Sequence, residues 1–407
     1  MTKKQLRNYA NLIVKAGVNV QKGQEVVINA EPDQPEFVAM VAEECYKAGA
    51  KRVVVDWVYQ PMTKLNVKYR SLKELGRMEE YEEARLKYRL ETLPAQIHLH
   101  SADPAGLKGI NQDKYSKATQ ALRAITKPYR DKMDNKYQWC IAAVPSVAWA
   151  KKVFPNERKS KAVEMLWEAI LLSSRCDDDP ILAWEKHNEN LHSKCKYLND
   201  LGIKTLIYKA SNGTDFRVGM IEDAEFLGGS HETVNGIEYN ANIPSEEVFI
   251  SPKRGVADGI VYSSKPLSYQ GELIDNFSIR FENGKVVEVK AETNEELLKK
   301  LVDMDEGAKY LGECALVPYD SPIRNSGVLF YSTLFDENAA CHFALGRGFT
   351  NTIKNFDNYT LEELREKGIN DSMIHVDFMI GTKDLDVVAE TFDGKTVQIF
   401  KDGNWAF

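Results

Sequence analysis

Apolar and polar positions give the chain two textures. In the first, Leu6, Tyr9, Ile13, Val14 and Val18 fall at helical spacing and predict an amphipathic opening helix. Gly23 closes a turn, and Glu25–Ala30 reads as a buried strand. A helix is expected over Phe37–Ala48, stopped by Gly49, and a valine-rich strand over Arg52–Val58. A long charged helical segment is expected over Lys64–Leu90, with further strands at Ile97–Leu99 and Trp139–Val144. Helical spacing resumes at Lys161–Ser174 and Leu182–Leu201. This alternation of strand and helix predicts an α/β domain with a mostly parallel sheet.

The second texture begins near residue 203 and is richer in short alternating strands. Lys204–Tyr208 and Asp215–Val218 flank a turn at Ser211-Asn212-Gly213. Asn283-Gly284 and Asp393-Gly394 each stand between strand-like runs and mark tight hairpins. Two helices are expected to interrupt these strands, near Asn294–Met304 and Glu337–Leu345. The expectation is therefore an α/β domain over residues 1–202 and an α+β domain with largely antiparallel sheet over residues 203–407. A chain of 407 residues also exceeds what one hydrophobic core usually serves.

Composition narrows the function classes. A formal net charge of -7 argues against a nucleic-acid partner, which favours a basic surface. Cysteines 45, 140, 176, 195, 314 and 341 form no Cys-x-x-Cys pair, so a zinc ribbon or a thioredoxin-type site is not expected. Asn8, Asn11 and Lys15 interrupt the N-terminal apolar positions, and no run is long enough to span a bilayer, which predicts a cytoplasmic protein with no membrane partner. No Gly-x-Gly-x-x-Gly or Walker loop supports a nucleotide site, and neither a Gly-x-Ser-x-Gly elbow nor His-Glu-x-x-His occurs.

The candidate chemistry lies after residue 240. In Ile374–Gly381, strand alternation sets Ile374, Val376, Phe378 and Ile380 on one face and His375, Asp377 and Met379 on the other. Imidazole and carboxylate on one strand face suit zinc, cobalt or manganese. His342 follows Asp336 in a segment expected to be helical up to Gly346, with Asp336 as its N-cap. Glu246 and Glu247 lie in an extended segment after Pro244, where neighbours face opposite sides and one of the two can meet solvent. Glu313 precedes an apolar strand. Each has an ordinary alternative: a half-exposed strand, a core histidine, a surface acidic pair and a strand-edge charge. Together they supply the carboxylates and imidazoles of a two-metal hydrolase, in which ions about 3.5–4 Å apart activate a water and a nearby carboxyl moves its proton.

Four segments resemble the aminopeptidase T / aminopeptidase S family of metallopeptidases: Asn-Ile-Pro-Ser-Glu-Glu-Val-Phe at 242–249, Gly-Glu-Cys-Ala-Leu-Val-Pro at 312–318, Leu-Phe-Asp-Glu-Asn-Ala-Ala-Cys-His at 334–342 and His-Val-Asp-Phe-Met-Ile-Gly at 375–381. Lesser matches at 149–155, 213–215, 267–269 and 403–405 extend the likeness along nearly the whole chain. The resemblance implies metal ligands at Glu247, Glu313, His342, His375 and Asp377, with Glu246 in reserve and Glu313 as the bridging carboxylate. Glu313 and Glu246 are the candidate catalytic carboxylates. It also implies two divalent ions (zinc, cobalt or manganese), peptide substrates with a free N-terminus, a homodimer, and a first domain that helps enclose an inner cavity. Family members commonly carry a tyrosine seven residues after the helical histidine, where this chain has Phe349, a candidate substrate-binding residue. Loss of one oxyanion donor costs ~10²–10³ in rate elsewhere. The alternatives are that the hydroxyl is dispensable, that Tyr331 or Tyr359 replaces it, or that the enzyme is slower. Two other functions fit the same ligands: hydrolysis of a non-peptide amide, and metal binding with decayed activity.

Overall fold

The computed structural model describes residues 1–407. Contacts group the chain into two compact units. One comprises Met1–His187, Ser230–Ser245 and Gln270–Glu272; the other comprises Asn188–Gly229, Glu246–Tyr269 and Leu273–Phe407.

The first unit holds the expected parallel sheet. Its strands run in the order Asn242–Ile243, Trp139–Ala143, Ala95–His100, Glu25–Ala30, Arg52–Trp57, and every pair is parallel. The first strand, Glu25–Ala30, has Arg52–Trp57 added on one side as the sheet edge, and the later strands are added in turn on the other. Helices Lys3–Leu12, Pro35–Lys47 and Lys159–Ser173 bring Tyr9, Phe37 and Trp167 together, with Tyr9 and Phe37 stacked at 5.5 Å and Phe37 edge-on to Trp167 at 5.3 Å. The Tyr9 hydroxyl donates to Ala143 O at 3.2 Å and accepts from Ala143 N at 3.1 Å, which satisfies the polar tip of a buried ring. The expected helix over Lys64–Leu90 is three helices instead, Gln60–Tyr69, Leu72–Leu75 and Glu80–Thr92. Ser71 caps the second and Gly76 ends it, so local caps override the continuous charge pattern. The long helix Gln112–Met133 has no counterpart in the pattern reading.

The second unit is mainly antiparallel, as expected. A large sheet contains the hairpin Glu272–Glu282/Lys285–Thr293, turned at Asn283 and Gly284, both left-handed, as a two-residue turn of the mirror type requires. A second sheet has the order His375–Met379, His342–Gly346, Leu311–Leu316, Val248–Ile250, Leu227–Gly228. One face of this smaller sheet packs Ile250, Cys314, Leu316, Phe343, Leu345 and Phe378 into the core. Burial of each large side chain there stabilises the fold by about 2–3 kcal/mol. No helix is long and apolar enough to cross a membrane.

Candidate metal centre

The other face of the smaller sheet carries the chemistry. Pairing sets Glu313, Ala344 and Asp377 in one row across three strands, and Ala315, His342 and Met379 in the next. His375 stands two residues before Asp377, on the same face, opposite Gly346. Ala344, reduced to a methyl, leaves the carboxylates on either side room to converge. Gly346 has φ +106°, and a Cβ there would lie 2.1 Å from Ile374 O, so only glycine lets the His375 strand approach this closely.

His342 thus belongs to a strand, His342–Gly346, and the expected helix from Asp336 to Gly346 is a correction. Only Thr333–Asp336 and the 3-10 turn Glu337–Ala339 are helical before it. His342–Gly346 lies between two partner strands, and their ladder overrides the helix preference of its Ala and Leu. Asp336 does not cap a helix with its side chain; its carboxylate accepts from Phe330 N and Ser332 N, each at 3.0 Å. Glu246 and Glu247 are both buried, so neither takes the solvent-facing position open to one of them.

The five expected ligand side chains come together, while the Glu246 carboxylate belongs to neither of the two groups they form. His342 Nε2 lies 3.0 Å from Glu247 Oε2. His375 Nε2 lies 3.0 Å from Glu313 Oε2 and 3.2 Å from Asp377 Oδ1. Ligand atoms of Glu247, Glu313 and His342 fall within 4.8 Å of one another, and so do those of Glu313, His375 and Asp377. Glu313 belongs to both groups. The two imidazoles are oriented from behind: His342 Nδ1 faces Ala340 O at 3.1 Å, and His375 Nδ1 faces Arg347 O at 2.7 Å. A carbonyl only accepts, so each Nδ1 carries a hydrogen and each Nε2 is left for the site.

Charge is concentrated here against the cost of burial. Burial pushes the Glu313 carboxyl up to about 7; the hydrogen bond from His375 pulls it down, and the charges of Glu247 and Asp377 add to the rise. Glu337 is raised well above the ordinary carboxylate range by burial and by the charges of Asp377, Glu247 and Glu313. Burial alone would lower His342, yet its hydrogen bond and ion pair with Glu247, with Glu313 and Asp377 beyond, carry it up to about 10. His375 is likewise raised, against burial, by Asp377 and Glu313. Burial works to raise Asp377, but the charge and hydrogen bond of His375 prevail and hold it low. Several buried carboxylates around two imidazoles, in two groups that share Glu313, form a donor set that a divalent cation neutralises. Oxygen and imidazole donors fit zinc, cobalt or manganese.

The pattern of the sequence places Glu337 only as an acidic residue at the start of a helix, whereas the structure buries it beside the site. The signal was there: an acid followed by Asn-Ala-Ala-Cys-His, too apolar a run for a solvated turn. Phe349 lies over the site's edge, its ring 4.9 Å from the His375 ring and 5.3 Å from Phe249. Its backbone N donates to Ser251 Oγ at 2.7 Å. Of the two tyrosines considered as replacements, Tyr359 is partly exposed with Lys367 Nζ 4.3 Å over its ring, and Tyr331 stands at φ +55°.

Residues 2–405 match a family model described as thermophilic metalloprotease (M29). The chain is 43% identical over 407 residues to aminopeptidase AmpS of Bacillus subtilis (strain 168), covering 99% of this chain and 98% of that protein. It is 40% identical over 406 residues to aminopeptidase 2 of Geobacillus stearothermophilus, with the same 99% and 98% coverage. Among solved structures, wild-type AmpT from Thermus thermophilus matches with a TM-score of 0.89 and 35% identity, covering 100% of each chain.

Proposed function

Since the chain belongs to the thermophilic metalloprotease family M29 and is a metallo-aminopeptidase, we propose that it cleaves the N-terminal peptide bond of short peptides with the help of two divalent ions. Glu247 and His342 are assigned to one ion, His375 and Asp377 to the other, and Glu313 to both. The observation that carries this reading is the membership of Glu313 in both ligand groups. When bound, the ions polarise the scissile carbonyl and make the attacking water more acidic.

The remaining work falls to the chain's own groups. Carbonyls of Ala340 and Arg347 keep the imidazoles facing inward. Glu246 and Glu337 are the carboxyl groups assigned to carry a proton from the water to the leaving amine, with Glu337 also able to complete a coordination sphere. Phe349 is assigned to the substrate pocket, where its ring shields His375. Action as a homodimer in the cytoplasm is part of the same proposal and rests on the likeness to the family.

The test uses amino-acid anilides and dipeptides with free or acetylated N-termini. Chelation is expected to abolish hydrolysis, and zinc, cobalt or manganese to restore it, with the acetylated substrates left intact. Turnover that survives thorough chelation, or equal cleavage of the acetylated peptides, contradicts the proposal.

A further inference from the structure

We propose that Asn338 is a positioning residue that sets the metal centre before any ion arrives, by tying the backbone beside Glu247 to the carboxylate of Glu337. The inference deepens the metal-centre reading above and rests on it. Asn338 is fully buried, at 0% exposure. Glu246 N donates to its Oδ1 at 2.6 Å, joining segments 92 residues apart. Its Nδ2 donates to Leu334 O at 2.9 Å and to Glu337 Oε1 at 3.3 Å. The amide has one permitted orientation. A backbone N–H only donates and a backbone carbonyl only accepts, so turning the amide over would set donor against donor and acceptor against acceptor.

The geometry gives this amide a task beyond stabilising a turn. A turn-stabilising asparagine needs only the bond to Leu334 O within its own segment. The bond to Glu246 N fixes the main chain at the residue from which Glu247 follows, and Glu247 Oε2 reaches His342 Nε2 at 3.0 Å. The bond to Glu337 fixes one oxygen of a buried carboxyl group that no strand of the sheet holds in place. The same Nδ2 that donates to Leu334 O thus ties the Glu337 side chain to the turn that carries it. Asparagine suits the position because it offers an acceptor and two donors on one short planar group. Leucine of similar size would leave the buried Glu246 N–H without its acceptor.

The test compares Asn338→Ala and Asn338→Asp with the wild type. Aspartate keeps an acceptor for Glu246 N–H but loses the donor to Glu337 and sets a second carboxylate beside it. Zinc affinity is measured by chelator competition on metal-free protein, with kcat and KM on an amino-acid anilide and the metal-free unfolding midpoint alongside. Both variants are expected to bind at least one ion about 10–100-fold more weakly and to lose kcat in step, as removal of groups that orient ligands does elsewhere, with KM much less affected. Wild-type zinc affinity in either folded variant, with only a lower midpoint, overturns the proposal and leaves Asn338 a turn residue. Hydrogen exchange on the wild type needs no variant: the Glu246 amide is expected to be as protected without zinc as with it, and rapid exchange in the metal-free protein overturns the proposal. Failure of the wild type to bind zinc at all is a separate result and sinks the metal-centre reading itself.

Discussion

Two sheets of this molecule hold histidines in opposite electrostatic states. His98, in the parallel sheet, is held neutral: burial, then the charges of Arg89 and His100, lower its pKa to about 4. In its cross-strand row stand Asn29 and Asp56, and Asp56 is already engaged by Arg85 and Arg89. His342, in the smaller antiparallel sheet, is raised to about 10 although burial opposes it. Burial lowers both, so it does not account for the opposite shifts; the sign of the neighbouring charge does. Where cations have taken the nearby carboxylate, a histidine is a structural residue. Where carboxylates outnumber every cation on their side of the sheet, the histidine marks a place that requires one. Perturbed groups point to function only when the perturbing partner is read along with the shift.

The largest effect should come from removing the carboxylate common to both ligand groups. Glu313→Gln keeps the size and removes the charge. It is expected to bring kcat/KM down to the buffer background, a loss beyond the ~10²–10³ typical of a single polarising donor, with reduced zinc uptake. His98→Gln is expected to leave kcat/KM unchanged, and loss of activity there would break the contrast between the two sheets.

A second effect is specific to His98 and has a definite sign. Its folded pKa is about 4, and in the unfolded chain it returns to about 6.5. Between those values the unfolded chain binds more protons, so stability rises with pH. The contribution is complete above about pH 6.5 and is lost as pH falls towards 4, by about 2 kcal/mol once partial exposure is allowed for. Urea unfolding of wild type and His98→Gln over that range measures it as the difference between two slopes. Equal slopes would mean that His98 is not held neutral.

Much of the fold was legible because both sheets follow simple periods. Glu25–Ala30 is a strand with the very bounds its apolar run indicates, and Asn283-Gly284 makes the hairpin its residues require. The apolar and polar faces of His375–Met379 also divide as alternation demands, with Phe378 in the core and His375 and Asp377 opposite. What stayed hidden depends on contacts far apart in sequence. His342–Gly346 continues a segment of helical composition but lies between two strands that the chain supplies from residues 311 and 375 onward. Glu337 carries no periodic signal, because its importance comes from Asp377, Glu247 and Glu313, each brought in by a different strand or segment. Asn338 is a similar case, joined to a backbone group 92 residues away.

The smallest effect concerns Phe349, which separates His375 from a purely polar setting. Its ring lies 4.9 Å from the imidazole, so one side of His375 meets carbon while Glu313 and Asp377 meet the other. Exclusion of water on the ring side strengthens the pull of both carboxylates. Phe349→Tyr keeps that shield and adds a hydroxyl, and the Ser251 Oγ bond to the Phe349 backbone holds the segment in place. A phenol at this point can donate to the developing oxyanion. We expect kcat to rise roughly tenfold, below the full range seen for oxyanion donors because this site is built without one, while KM and the unfolding midpoint stay near wild type. An unchanged kcat would show that the site as built does not call on a hydroxyl at this position. A fall in kcat would mean instead that the carbon face over His375 matters more than any donor, which would extend the contrast between the two sheets to the solvent each histidine is allowed to meet.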